Sequence, residues 1–388
     1  MALTKLTTDL IDGSLGTDWQ TAVKTAAFTA TAGEGYFVNT TSAAITVTLP
    51  SSPTTGDEVS IVDYGLNAAT NNITITSSDN IEGAADDLTL FTDKVSKTFV
   101  YSDATKGWLI ANDSSDTSVP PLTVDYLVVA GGGGAGFDVG GGGGAGGLRT
   151  SYGSTSGGGA SAETSLSLIA ATNYTVTVGA GGGSSGSSGV KGANGSNSIF
   201  STVNSIGGGG AGTYPSSGAG KNGGSGGGGA VVSGGPAGGS GTANQGYDGG
   251  SASSTNYGSG GGGGAGGAGA NGVQGAQVDG GLPLAVSITG SSVNYAGGGY
   301  GNADSGSVYA TGRNKSNTQL GTYGFGANGT GLPNANPNGG NAGVVILRYS
   351  NTYTITIGSG LTGSTATDGS DKVTTFTAGT GTITLGAA

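Results

Sequence analysis

The sequence predicts an all-β protein: a small N-terminal β-sandwich or prism, then a glycine-rich domain of packed polyglycine-II helices framed by short β-strands. Three observations carry that prediction. Between residues 28 and 118, β-branched and aromatic residues alternate with Thr and Ser in short runs separated by turn residues. Between 131 and 343 lie 73 of the 88 glycines of this 388-residue chain. Apolar strand-like runs bracket those glycines, YLVV at 126–129 and VVIL at 344–347.

Residues 1–27 read as an N-terminal attachment segment. Leu3, Leu6, Leu10 and Ile11 have helix-like spacing diluted by Thr and Gly, so a short helix and an extended arm both remain open. Residues 28–118 form the first strand module, with AITVTLP (44–50), VSIVDY (59–64), NNITITS (71–77), LTLFT (88–92), KTFVYS (97–102) and GWLIAN (107–112). Trp108 is expected as a core anchor. Pro120 and Pro121 stiffen a linker placed at 119–125. The glycine-rich domain is expected over 126–350 and a second strand module over 351–388.

Glycine loses the most backbone entropy on ordering and brings no side chain to bury. A chain so rich in it is either a flexible tether or a bundle of extended three-fold helices, and only lateral pairing can satisfy the backbone groups of such helices. The irregular repeat excludes collagen, which needs a strict G-X-Y period. GGGGAG recurs at 131, 141, 207 and 261, with GGGGA at 226. Strand-like islands and aromatic residues are spread among these runs, which favours the bundle. YTVTVGAG from Tyr174 nearly repeats as YTITIGSG from Tyr353. The strands at 126–129 and 344–347 are expected to lie near one another and frame the glycines.

The composition narrows the chemistry. There is no His and no Cys, which removes the commonest general base, thiol nucleophiles and thiolate metal ligands. Residues 1–130 carry 16 acidic and 5 basic side chains, and the remainder 7 of each, so the net charge of −11 belongs to the first third. Nothing here resembles the basic footprint of a nucleic-acid binder. No apolar run has the length of a membrane span, and MALTKLTTDLIDG lacks the apolar core of a signal peptide, so membrane insertion and Sec export are not expected.

YLVVAGGGGAG at 126–136 contains the G-x-G-x-x-G spacing of a dinucleotide site, at Gly131, Gly133 and Gly136. The following FDVGGGGGAGG cannot form the helix that would face a pyrophosphate, and the motif recurs as a unique site would not. GKN at 220–222 lacks the spacing of a P-loop, and GGSGTANQGYDGG at 238–250 has too few carboxylates for a calcium loop. Asp86 and Asp87 read as an acidic turn. No catalytic residue, cofactor or metal is expected. Arg313 and Lys315 form the basic cluster of the glycine-rich body, either a solvated loop or a contact to an anionic glycan.

AGEGYFVNTTSAAITVTLPSSPTTGDEVSIVDY, with NNITI and TFVYSDATKGWLI after it, resembles the N-terminal modules of tail fibres from marine and cyanobacterial tailed phages. YLVVAGGGGAG, GGGGAGGLRTS, YTVTVGAGG and GVVILRY resemble the glycine-rich domain of the same fibres. The resemblance implies an extracellular virion protein and a homotrimer fixed to tail or baseplate proteins by its N-terminal part. It also implies polyglycine-II layers whose loops grip a host-surface glycan or protein. Tyr214, Tyr247, Tyr257, Tyr300, Tyr309, Arg313 and Lys315 are the candidate receptor contacts, with packing between layers as their simpler role. A purely structural fibre or decoration protein and a glycine-rich surface or ice-binding protein are the alternatives. A glycan depolymerase is disfavoured by the wide spacing of the carboxylates.

Overall fold

The computed structural model describes residues 17–111 and 122–387, apart from 170–171, 216, 255–256, 304–310, 313, 315, 317 and 330–338. The chain divides into two compact units, Met1–Pro121 and Leu122–Ala388. The expected linker at 119–125 therefore differs: Leu122 to Asp125 already belong to a strand of the second unit.

The first unit contains β1 (Asp18–Trp19), β2 (Phe28–Thr29), β3 (Glu34–Val38), β4 (Ile45–Thr48), β5 (Glu58–Asp63), β6 (Ile73–Thr76), β7 (Leu88–Leu90), β8 (Ser96–Asp103) and β9 (Gly107–Ile110). They form two sheets, β1-β3-β5-β8-β9 and β2-β4-β6-β7. Up to β6 the chain steps alternately from one sheet to the other, so neighbours within each sheet run parallel. Antiparallel β7, β8 and β9 complete the sheets. The period-two pattern explains the core: Ile45 lies beside Ile73 and Val47 beside Ile75, all buried, while the intervening Thr side chains face outward. Trp108 is fully buried, its ring 5.5 Å from that of Tyr101. Asp86 and Asp87 are exposed, as an acidic turn requires. Residues 1–16 of the expected attachment segment lie outside the described residues, and Asp18 and Trp19 pair with β3.

One carboxylate holds the loops at the end of this prism. Asp63 is 1% exposed and accepts from the Thr40 hydroxyl at 2.6 Å and from the backbone N–H groups of Ala68 and Lys94 at 3.2 and 3.1 Å. A buried carboxylate needs such donors to offset lost hydration.

The second unit contains β10 (Leu122–Val129), β11 (Leu148–Thr150), β12 (Leu166–Leu168), β13 (Asn173–Val178), β14 (Ser198–Phe200), β15 (Val203–Ser205), β16 (Leu284–Val286), β17 (Val293–Tyr295), β18 (Val344–Ser350), β19 (Tyr353–Ile357), β20 (Leu361–Asp368) and β21 (Asp371–Ala387). All but the β16–β17 hairpin share one sheet. The expected neighbours 126–129 and 344–347 pair directly, Tyr126 with Leu347 and Val129 with Val344. Both runs are continuously apolar because each strand is buried on two faces. Tyr126, Val128, Val345 and Leu347 pack into one core, and Leu127, Val129, Val344 and Ile346 into another. The near-identical segments form β13 and β19, which lie on opposite edges of β21 with Tyr174 and Ile357 both opposite Ile383. Strands after residue 350 thus join the sheet of the glycine-rich unit, where the sequence suggests a module of its own.

The glycine runs between these strands form a lattice. Within 141–147, N–H groups three residues apart address the same neighbour, the signature of a three-fold extended helix. Gly141, Gly144 and Gly147 donate to Gly212, Gly209 and Ile206. Gly142 and Ala145 donate to Gly260 and Gly263, and Gly143 and Gly146 to Ala327 and Gly324. The carbonyls of the same run accept from Gly133, from Ser225 and Gly228, and from Gly299, which completes six surrounding segments. The motif at 131–136 sits in the same network: Gly131, Gly132, Gly133 and Gly134 donate to Ser196, Asn341, Gly144 and Ala193. These four N–H groups are committed to the lattice and leave no cradle for a phosphate.

Two substitutions test the close approach. A Cβ on Gly143 would stand 2.1 Å from the Gly133 oxygen, whereas one on Gly183 meets nothing within 4 Å. Gly143→Ala is expected to lower unfolding stability by about 3 kcal/mol or more, through backbone displacement in a packed interior. Gly183→Ala is expected to stay within about 1 kcal/mol of the parent. In the first unit, Asp63→Ala leaves the loop donors unpaired and is expected to cost about 1–3 kcal/mol. Denaturant unfolding of the full chain checks all three.

Candidate binding surface at the turn end of the lattice

The glycine segments run up and down between two unlike ends. At one end they continue into strands: Ala130 donates to Gly147, Gly147 to Ile206 and Gly343 to Gly179, each within a few residues of β10, β11, β13, β15 or β18. At the other end lies a layer linked by Gly136 to Gly141, Gly141 to Gly212, Gly212 to Gly228 and Gly142 to Gly260. Turns 137–139 and 231–235 emerge beyond that layer, as do the turns that carry Tyr214 and Tyr257. Turn 186–191 joins them, since Ser185 donates to Ala135, and so does 273–277, since Gly272 donates to Ser251.

Side chains that cannot fit between touching backbones are accommodated in these turns. Val190 is 53% exposed, Tyr214 38%, Tyr257 38% and Val273 55%, each in a different turn of the same end. The turns brace one another. Gly189 N–H and the Ser188 hydroxyl donate to the Tyr214 carbonyl at 3.2 and 3.4 Å, and Gly275 N–H donates to the Tyr257 carbonyl at 3.2 Å. The central turn is gripped from two sides, by the Thr213 hydroxyl on the Phe137 carbonyl at 2.7 Å and by the Ser259 hydroxyl on the Val139 carbonyl. Asp138, Val139 and Tyr257 have φ of 47°, 45° and 48°, a region L-residues adopt only under constraint. Among the described residues of these turns, Asp138 and Lys191 are the charged side chains. Apart from these two, the described residues of the turns are apolar, hydroxylic or amidic.

The structure separates the residues singled out from sequence. Tyr214 and Tyr257 lie on this surface. Tyr300 does not: it is 1% exposed within a glycine segment, its N–H donating to Asn328 Oδ1 at 3.2 Å. Tyr247 sits toward the strand end, its N–H donating to Gly264 and its hydroxyl beside Gly159. Tyr309, Arg313 and Lys315 lie outside the described residues. Val190 and Val273 were not anticipated, although a repeated tetrapeptide marks them, GVKG at 189–192 and GVQG at 272–275. Among the described residues, no group of three or more Asp or Glu side chains could hold a metal ion, and no helix is long and apolar enough to cross a membrane.

At the strand end, an ion pair ties the chain leaving the lattice back to β10. Arg149 of β11 grips Glu163 with Nε on Oε1 at 2.7 Å and Nη2 on Oε2 at 2.6 Å, and the Tyr126 hydroxyl donates to Oε2 at 2.7 Å. Burial alone would raise the Glu163 carboxyl, but the hydrogen bonds from Arg149 and Tyr126 and the guanidinium charge outweigh it and hold it below the usual range. Burial, with the neighbouring Glu163, pushes the Tyr126 phenol up.

These features define a class: an all-β protein whose body is a hydrogen-bonded glycine lattice capped by strands at one end and turns at the other. The chain belongs to the glycine-rich domain family, whose model matches residues 111–350. No curated protein matches it.

The depressed Glu163 carboxyl contributes stability that is complete above the unfolded-state value near pH ~4 and is lost as pH falls through the lower folded value. Glu163→Gln is therefore expected to flatten the acid limb of the stability profile. Unfolding midpoints measured from neutral pH into the acid range check this, and equal slopes for parent and variant would contradict it.

Proposed function

We propose that this chain is a non-catalytic adhesin of a tailed-phage fibre. Its N-terminal part attaches to tail or baseplate proteins, the assembly is a homotrimer, and the turn end of the lattice holds a receptor on the host surface. The observation that carries the reading is the set of exposed Val190, Tyr214, Tyr257 and Val273 on mutually braced turns of one end. Rigid aromatic and aliphatic anchors give contact area at low entropic cost, and three copies would convert weak single contacts into avid attachment. The resemblance of both parts of the chain to phage fibre sequences supports the same reading.

The test is blocking of phage adsorption by the purified full chain. Combined Tyr214→Ala and Tyr257→Ala is expected to raise the half-blocking concentration about tenfold or more, near 1.4 kcal/mol per subunit contact. Trp19→Ala, in the other unit, should leave it unchanged. Because Asp138 and Lys191 are the charged side chains among the described residues of these turns, blocking should vary little with ionic strength. Full blocking by the double tyrosine variant would defeat the proposal, and a monomeric mass in solution would remove its trimeric part.

A further inference from the structure

A cleft lies at the strand end of the same unit. It measures about 300 Å³ and is set between the connection of the β16–β17 hairpin and the paired strands β20 and β21. Its floor is formed by two cross-strand pairs, Ser364 with Thr375 and Ala366 with Val373. Thr289 of the hairpin connection forms one wall and Asp368 closes the end of the cleft.

The carboxylate is held in place. Arg348 donates from Nη1 to Asp368 Oδ2 at 2.7 Å and to the Ile288 carbonyl at 3.2 Å, and from Nε to Asp371 Oδ2 at 2.8 Å. One guanidinium thus fastens the hairpin connection to both ends of the β20–β21 turn. The Arg348 side chain is 14% exposed, whereas that of Asp368 is 44% exposed and open to the cleft.

The lining sets the ligand chemistry. Ser and Thr hydroxyls both donate and accept, and a carboxylate accepts from adjacent hydroxyls. The methyl groups of Ala366 and Val373 provide an apolar floor between them. Two carboxylates share one arginine whose Nε and Nη1 are engaged by them and by the Ile288 carbonyl, so an anionic ligand would meet net negative charge. We infer that this cleft binds a neutral pyranose, with C–H groups against Ala366 and Val373 and ring hydroxyls against Ser364, Thr375, Thr289 and Asp368. The inference stands apart from the turn-end reading, since the two sites share no residue.

Saturation-transfer NMR on the full chain tests it, with the methyl glycosides of glucose, galactose, mannose and N-acetylglucosamine as probes and glucuronate as the anionic control. The expected result is transfer to at least one neutral glycoside, with a dissociation constant on the order of 1 mM. Ala366→Trp, at an exposed strand position, should weaken that binding at least about tenfold, with the melting temperature unchanged. Tyr214→Ala should leave it intact. Absence of transfer from all four glycosides, transfer that survives Ala366→Trp, or equal binding of glucuronate would overturn the inference. Loss of adsorption blocking in the tyrosine variants bears on the turn end alone.

Discussion

Everything in the second unit depends on backbone N–H groups finding carbonyl partners on neighbouring chains at a distance no side chain permits. An extended three-fold helix has no internal hydrogen bonds, so each segment is unstable alone and satisfied only when surrounded. The run 141–147 shows the consequence, since its donors and acceptors reach six different segments drawn from residues 130 to 327. The entropy lost by ordering so much glycine is offset by dense pairing between backbones instead of by a large apolar core. The apolar cores lie on the two faces of the sheet, which seals the ends of the segments where the lattice stops.

This division of labour explains where side chains occur. Inside the lattice almost any Cβ collides with a carbonyl, so larger residues are displaced to strands, to seams between segments or to turns. Strands take the alternating and continuous apolar runs, as in β10 and β18. Seams take residues such as Tyr300, which is buried within a glycine segment. Turns take what remains, and there the side chains meet solvent. A surface for recognition is thus a direct product of a body that excludes side chains.

The same logic marks what could be read in advance. The runs at 126–129 and 344–347 announced neighbouring strands that frame the glycines, and their continuous apolar sequence fits the burial on both faces that the sheet gives them. The glycine count and its recurring hexapeptide announced the lattice. The parallel winding of β1 to β6 was not legible, since alternation of Ile with Thr specifies a half-buried strand and says nothing of its direction. The union of β19, β20 and β21 with the main sheet escaped for a related reason: strand pattern does not name the partner. Tyr300 and Tyr247 read from sequence either as loop contacts or as packing between layers, because an aromatic among glycines fits both. Whether it caps a segment or lines a seam depends on neighbours distant in sequence, Gly264 for Tyr247 and Asn328 for Tyr300. Val190 and Val273 carried no signal of their own, since a lone Val in a glycine run fits a packed seam as well as an exposed turn.

The pairing of β10 with β18 has a temporal side. One strand ends at Val129 and the other begins at Val344, so the ribosome delivers more than 200 residues between the two partners. During that interval the glycine segments emerge without the sheet that will seal them, and long-range closure of this kind is slow. Nascent glycine-rich chain offers little apolar surface for wrong associations, so it can wait in a solvated state. The composition that makes the finished lattice rigid also keeps the unfinished chain harmless until its closing strand arrives.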